Sequence, residues 1–575
     1  MFYHSLKKKF RFIGLVLVIL TITSGCTVVS EQQTEIPPFT PTQPTFRNVA
    51  AEVGIDFQHS AFRWGFSGDP VAMMGGGLCW IDYDNDGWLD LYVVNSYAVA
   101  EAGKWESETG SLPRNAFYHN DEGQFREVGA VTGTDLAMRG NGCVAADLNL
   151  DGYSDLYITS SRFNVLLWNN GDGTFSDGGR QAGVDTYGWQ TAVSVGDLNA
   201  DGLPDIFTAG YVDVNNQIEG STMGFPNTHY GRPDLVFINE GIDESGYATF
   251  REVHEIVGLI EFDPDSDFEY GLGSALSDVD DDGDLDLFVA NDTNPNRLYI
   301  NEQMPTDPQG IGFRFVESGA TAQIDDINSG MGVASGDFDQ DGRFDLFITN
   351  LGDQLHSVYR NTSKADADVT FVDATTNMGI TDIGVGWTGW GATWADFDLD
   401  SDLDLFVVNG RIPVIDFSAD AMLTQLYANQ TAQGEQGQFS NMSSAAGLGE
   451  IGKLVGRGSA VADFDNDGDL DVAVASIGGK LRLLENSGAT GNWLQVQLAD
   501  FAPGAIVTAT LIDGTELRRE LKAGSSYLAS EDPRCHFGLG AAESVRRLHV
   551  QWPNGEETIL QNVEANQILV VEQGS

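Results

Sequence analysis

Residues 82–90 read DYDNDGWLD, which places four carboxylates, Asp82, Asp84, Asp86 and Asp90, within nine positions. Carboxylates this close repel one another and resist ionisation unless a cation sits among them. The pattern recurs as DLNLDGYSD (147–155), DLNADGLPD (197–205), DVDDDGDLD (278–286), DFDQDGRFD (337–345), DFDLDSDLD (396–404) and DFDNDGDLD (463–471). Positions one, five and nine are Asp throughout, and position three is Asp or Asn. Position six is Gly except at Ser401. One such cluster reads as a solvated loop; seven in a fixed register do not.

The spacing has a mechanism. Calcium takes about six to eight hard oxygen ligands, which carboxylates and backbone carbonyls supply. Acids at positions one, three and five of a tight loop converge, a glycine at six takes the positive-φ turn, and the ninth residue closes the cage. The candidate metal ligands are therefore Asp82, Asp84, Asp86 and Asp90; Asp147, Asn149, Asp151 and Asp155; Asp197, Asn199, Asp201 and Asp205; Asp278, Asp280, Asp282 and Asp286; Asp337, Asp339, Asp341 and Asp345; Asp396, Asp398, Asp400 and Asp404; and Asp463, Asp465, Asp467 and Asp471. Up to seven Ca2+ ions are expected. Their role is structural, because a catalytic metal keeps an open coordination position. Ser401 carries a modest strain at its turn, which makes the sixth loop the least certain of the seven.

The elements around these loops are strands. An EF-hand needs a bidentate Glu at position twelve and flanking helices. Here position twelve is Val93, Ile158, Thr208, Val289, Ile348, Val407 or Val474, inside runs such as DLYVVN and DLFVAN. A second signature follows each loop: NAFYHN (115–120), NVLLWN (164–169), DLVFIN (234–239), NRLYIN (296–301), HSVYRN (356–361), TQLYAN (424–429) and LRLLEN (481–486). A third, of the type FVDATTNMGI (371–380), follows the first six loops but not the seventh. Its missing copy, FRNVAAEVGI (46–55), precedes the first loop. A ring in which the N-terminal segment supplies the outer strand of the last unit explains that displacement and protects the sheet edges. The expected fold is all-β: a seven-bladed β-propeller over 46–488, followed by a small β-sandwich over 489–575.

The repeats resemble the FG-GAP/VCBS repeats of integrin α-subunit propellers and their bacterial relatives, in which acidic loops carry calcium. NWLQV, HFGLG (536–540) and VQWPNG (550–555) resemble the ASPIC/UnbV domain. The combination is similar to the cartilage-acidic-protein family, a resemblance that implies fold and metal but not function.

The N-terminus carries a basic segment (Lys7, Lys8, Lys9, Arg11), an apolar run from Phe12 to Ile22, and Thr23-Ser24-Gly25-Cys26. This is an export signal that resembles a bacterial lipobox, so 1–26 is read as a lipoprotein signal peptide with Cys26 lipidated. Residues 27–45 form a Pro-rich tether. The expected place is the bacterial outer membrane, cell surface or periplasm, with a lipid anchor into the membrane. The net charge of −55, from 85 acids and 30 bases, argues against nucleic acid as a partner. Cys79, Cys143 and Cys535 are read as buried small hydrophobes. Cys79 and Cys143 lie three and four residues before their acid loops, on opposite strand faces.

Ligand recognition is expected at the end of the sheets opposite the acid loops, where connections between units converge. The candidates are His59, Arg63, Trp64, Trp105, Trp189, His229, Tyr230, Arg232, Tyr270, Trp387, Trp390 and Arg411. Aromatic faces with a few bases suit a sugar or a peptide. Three functions follow: a surface binding or adhesion module for a glycan, matrix or protein ligand; a carbohydrate lyase or dehydratase with His59, His229, Tyr230 and Arg232 as its groups; or an envelope assembly scaffold. No catalytic motif is present, and His536 is read as a structural histidine, so a binding role is favoured over an enzyme.

Overall fold

The structure, a computed structural model, describes residues 39–259, 269–304, 306–364, 368–380 and 383–574. The signal segment, Cys26 and the tether up to residue 38 lie outside the described residues. The end of the tether that is described lies against the folded body, with Thr42 Oγ1 donating to Gly488 O at 2.5 Å.

Among the described residues, seven sheets share one plan of four antiparallel strands joined in order, with the acid loop between the first two. The first sheet comprises Leu78–Ile81, Asp90–Val93, Ala116–Asp121 and Gln124–Glu127. The seventh comprises Gly456–Ala462, Asp471–Ser476 and Arg482–Asn486, and its fourth strand is the N-terminal Phe46–Asn48, paired antiparallel with Arg482–Asn486. The opening strands of consecutive sheets lie side by side, and the opening strand of the seventh also lies against that of the first.

The strands are apolar on both sides because both faces of each sheet are covered. Trp80, Leu91 and Val93 of the first sheet pack on Ala460, Phe464 and Leu483 of the seventh, and Val144 and Trp168 of the second pack on Val195 and Ile206 of the third. Each fully buried aliphatic side chain in these layers contributes about 1.5–3 kcal/mol.

One sequence expectation is corrected here. Cys79 and Cys143 are not independent hydrophobes but form a disulfide between the first and second sheets. Their opposite strand faces are the reason. Neighbouring sheets stack front to back, so a side chain on the near face of one meets a side chain on the far face of the next. Both cysteines sit in one layer with Ile81, Tyr92, Leu156 and Ile158. Cys535 is a buried free thiol.

The C-terminal region forms two further sheets over one apolar core containing Leu494, Val507, Phe537, Leu548 and Trp552. It is not a separate bead. Its segment 520–532 enters the space between the seven opening strands. Ala529–Ser530 pairs parallel with Leu78–Cys79, Ala523 bridges to Val195, Ser526 bridges to Val333, and Asp532 N–H donates to Val461 O at 2.9 Å. Glycine at Gly77 permits this, since a Cβ there would lie 2.4 Å from Leu528 O.

Candidate metal centres

Each acid loop is built by its own carboxylates. The position-one aspartate accepts the N–H groups of positions five and six in every loop, as Asp82 does from Asp86 at 3.1 Å and Gly87 at 3.0 Å. The position-five side chain accepts the N–H of position seven. The position-nine aspartate is buried and bonds across the loop: Asp90 accepts from Tyr83 N at 3.2 Å and Asn120 N at 2.7 Å. Ser401 adopts φ 86°, within the 85–97° taken by the position-six glycines, and the sixth loop keeps the same bonds.

Position three is different. Asn149 Oδ1, Asp280 Oδ1, Asp339 Oδ1, Asp398 Oδ1 and Asp465 Oδ1 are buried with no hydrogen-bond partner. A buried unpaired carboxylate oxygen costs several kcal/mol, of order 1–3 or more, unless something else satisfies it. In several loops the carboxylates at positions one, three and five or nine bring oxygens within 4.8 Å of one another, among them Asp278, Asp280 and Asp282, and Asp396, Asp398 and Asp404. Burial, reinforced by neighbouring carboxylates, pushes Asp82 up to about 6, Asp337 to about 7, and Asp463 to about 8. Asp398 rises to about 10, and Asp155, Asp205, Asp286, Asp345, Asp404 and Asp471 also rise well above the ordinary range. A hard divalent cation would reverse these shifts and satisfy the orphaned oxygens, so the residues present fit such an ion.

The sequence reading missed three contributors. The Asn that ends the second signature locks each loop to its neighbour. Asn301 donates from Nδ2 to Leu285 O of its own loop at 3.2 Å and to Leu198 O of the preceding loop at 2.9 Å, and Asn120 reaches Phe464 O of the seventh. Its recurrence at 120, 169, 239, 301, 361, 429 and 486 was the available signal. Asp284, Asp402 and Asp469 add a position-seven carboxylate to the fourth, sixth and seventh loops. Finally, the C-terminal region covers loops four to seven. Arg518 Nη2 pairs with Asp281 Oδ1 at 2.6 Å, Glu520 Oε1 accepts from Asp278 N at 2.9 Å, Gln495 Nε2 donates to Asp463 Oδ2 at 3.1 Å, and Arg534 Nη2 donates to Asp463 O at 2.9 Å. His536 sits there as well, with Nε2 2.9 Å from Gly468 O, and burial lowers its pKa to about 4. No signal in the sequence points to this cover.

With loops and cover described, comparison with known proteins places the chain. A family model for the FG-GAP-like repeat matches residues 82–158, 147–208, 278–348 and 337–407, and one for ASPIC and UnbV matches 496–575. The chain carries FG-GAP-like repeats and an ASPIC/UnbV domain. It is similar to cartilage acidic protein 1 of Mus musculus, at 31% identity over 323 residues, covering 54% of this chain and 45% of that protein. It is also similar to the Homo sapiens protein, at 30% over 341 residues, covering 57% and 47%. The matched part thus spans about half the length of these relatives. Among solved structures, an Agrocybe aegerita lectin that recognises terminal N-acetylglucosamine aligns at 14% identity and TM-score 0.37, over 66% of this chain and 93% of its own, too distant to bear on function.

At the opposite end of the sheets nine of the twelve ligand candidates fall into three groups. Arg63 lies 5.3 Å above the ring of Trp64 and 4.9 Å above that of Trp105. Trp189, His229, Arg232 and Tyr270 gather around Phe225 and Tyr211; Tyr270 OH donates to His229 O at 2.7 Å, and Arg232 lies 5.9 Å from the Tyr187 ring. His229 Nδ1 is 2.9 Å from Thr228 Oγ1, and burial lowers its pKa. Trp390 carries the Arg457 guanidinium at 3.9 Å and touches Tyr527 of the inserted segment; the backbone carbonyl of Arg411 accepts from Arg457. His59, Trp105, Trp189, Tyr270 and Trp390 are buried, several of them in the apolar layer that closes this end of the central space. Trp64, Trp387, His229, Tyr230 and Arg232 are half-buried, and Arg63 and Arg411 are exposed.

Proposed function

We propose that the seven sheets are the blades of one closed β-propeller, stiffened by calcium in its acid loops, and that the chain is an exported, lipid-anchored binding module. The adjacency of first and seventh opening strands and the Asn120 bond to Phe464 O support closure. The orphaned position-three oxygens are the observation that carries the metal. The disulfide agrees with an oxidising compartment, which favours export.

The binding face is the end opposite the acid loops. Connections there present Phe66, Val99, Phe163, Tyr187, Met223, Phe225, Ile327, Val385 and Ile415, all large, apolar and exposed. The acid-loop end, in contrast, is largely covered by the C-terminal region. Exposed apolar groups gathered at one end of a rigid scaffold mark an interaction surface. Aromatic rings beside Arg63 and Arg232 suit a glycan, matrix or protein ligand.

The test is retention of the calcium-replete protein on glycan and matrix-protein arrays. Retention that falls when Phe163 and Tyr187 are changed to alanine, without any turnover of the ligand, supports the reading. Retention that is indifferent to both substitutions refutes the assignment of the face. Dialysis against radioactive calcium checks the metal: uptake of several equivalents, up to seven, is expected, and none would refute it.

A further inference from the structure

The seven loops share a backbone but not a neighbour. The residue before the Asn of the third strand stands beside the loop, and it is His119, Trp168, Ile238, Ile300, Arg360, Ala428 and Glu485 in the seven sheets. Only the first offers a nitrogen ligand. His119 Nδ1 lies 3.6 Å from Asp84 Oδ2 and 3.2 Å from Asp90 Oδ1. Ligand atoms of Asp84, Asp86 and His119 lie within 4.8 Å of one another, as do those of Asp82, Asp84 and Asp90. The nitrogen is shielded from solvent, and its neighbours are the Asp84 and Asp90 carboxylates, the groups an ion in this loop would share with it. The Tyr83 ring holds the imidazole edge-on at 5.8 Å.

Calcium takes oxygen ligands, and a nitrogen in its shell is a misfit. An imidazole with two or three carboxylates suits zinc, cobalt or another borderline divalent ion. We propose that the first acid loop is a mixed nitrogen–oxygen centre that takes a zinc-type ion in preference to calcium, with His119 as the selecting ligand. This rests on the reading that the loops hold divalent ions. The fifth loop shows the other use of the same place: Arg360 Nη1 lies 3.6 Å from Asp339 Oδ2, and Arg343 pairs with Asp341, so protein cations supply part of the charge. Partial exposure of the Asp84 side chain leaves the first loop open to ion entry.

The experiment uses the full chain, stripped with a chelator, reloaded with millimolar calcium and titrated with Co2+ while its visible absorption is followed. One equivalent of Co2+ with ligand-field bands, retained against calcium and displaced by Zn2+, is expected. His119→Ile, which installs the residue found in the third and fourth sheets, should weaken that binding by more than about tenfold while leaving calcium-dependent melting in place. Asp84→Asn should weaken it too. If calcium raises the melting temperature but no Co2+ binds in its presence, His119 is an internal cation like Arg360 and the proposal fails alone. If Co2+ binding survives His119→Ile, the ion lies elsewhere and the proposal also fails. If neither ion alters melting, the metal reading of all seven loops fails with it.

Discussion

At one end of the seven sheets, the connections are nine-residue loops of one pattern, held by the same hydrogen bonds from Asp82 to Asp463. At the other end the corresponding connections differ in length and sequence, running from residues 161–164 in the second sheet to 211–234 in the third. The uniform end faces one physical problem repeated seven times: crowded carboxylates in low dielectric, for which a cation and a fixed turn are the common answer. The variable end has no such constraint, so aromatic and basic groups there differ from sheet to sheet. On the proposed function, uniformity belongs to the scaffold and variability to recognition.

The strongest way to break this contrast is to remove metal. Chelation should lower the melting temperature by more than about 10 °C, because several sites each lose a few kcal/mol of linkage. Scanning calorimetry checks it, and an unchanged melt would make the two ends equivalent. The metal-free protein should also show an inverted pH dependence. Asp82 and Asp463 bind protons more tightly when folded, with pKa values of about 6 and 8, because of burial and neighbouring carboxylates. Stability of the metal-free fold is therefore full at acid pH and lost as pH rises through that window.

The C-terminal cover is tested next. Arg534→Ala leaves Asp532 buried without its partner and removes the bond to Asp463 O, a loss of about 3–5 kcal/mol in denaturant unfolding. Replacing both Cys79 and Cys143 by serine removes a crosslink closing 64 residues and should cost about 2–4 kcal/mol. Asn301→Ala, which unties the third loop from the fourth sheet, should cost about 1–3 kcal/mol. Smallest in stability is Phe163→Ala at the variable end. With Phe163 55% exposed, the change should stay within about 0.5 kcal/mol while reducing ligand retention.

Much of the scaffold was legible in the sequence. Asp at one, five and nine dictates the loop because each carboxylate accepts from amides within seven residues, and the ninth also accepts from the Asn that ends the second signature. The strands were legible from runs such as DLFVAN, and the fourth strand of the seventh sheet from the displaced FRNVAAEVGI. The ligand end was legible only in part. Residue type alone does not separate Trp390, which lies in a strand and packs under Arg457, from Trp64 at the margin.

What the sequence by itself determined is therefore local: acid spacing, turn residues and strand pattern, each set by interactions within one unit. Only the tertiary structure decided the Cys79–Cys143 bond, the insertion of 520–532 among the opening strands, and the closure of Arg518 and Arg534 over the acid loops. Alternation in a strand says which faces are buried, but not against what. Those partners lie up to hundreds of residues apart and meet only because the sheets stack front to back.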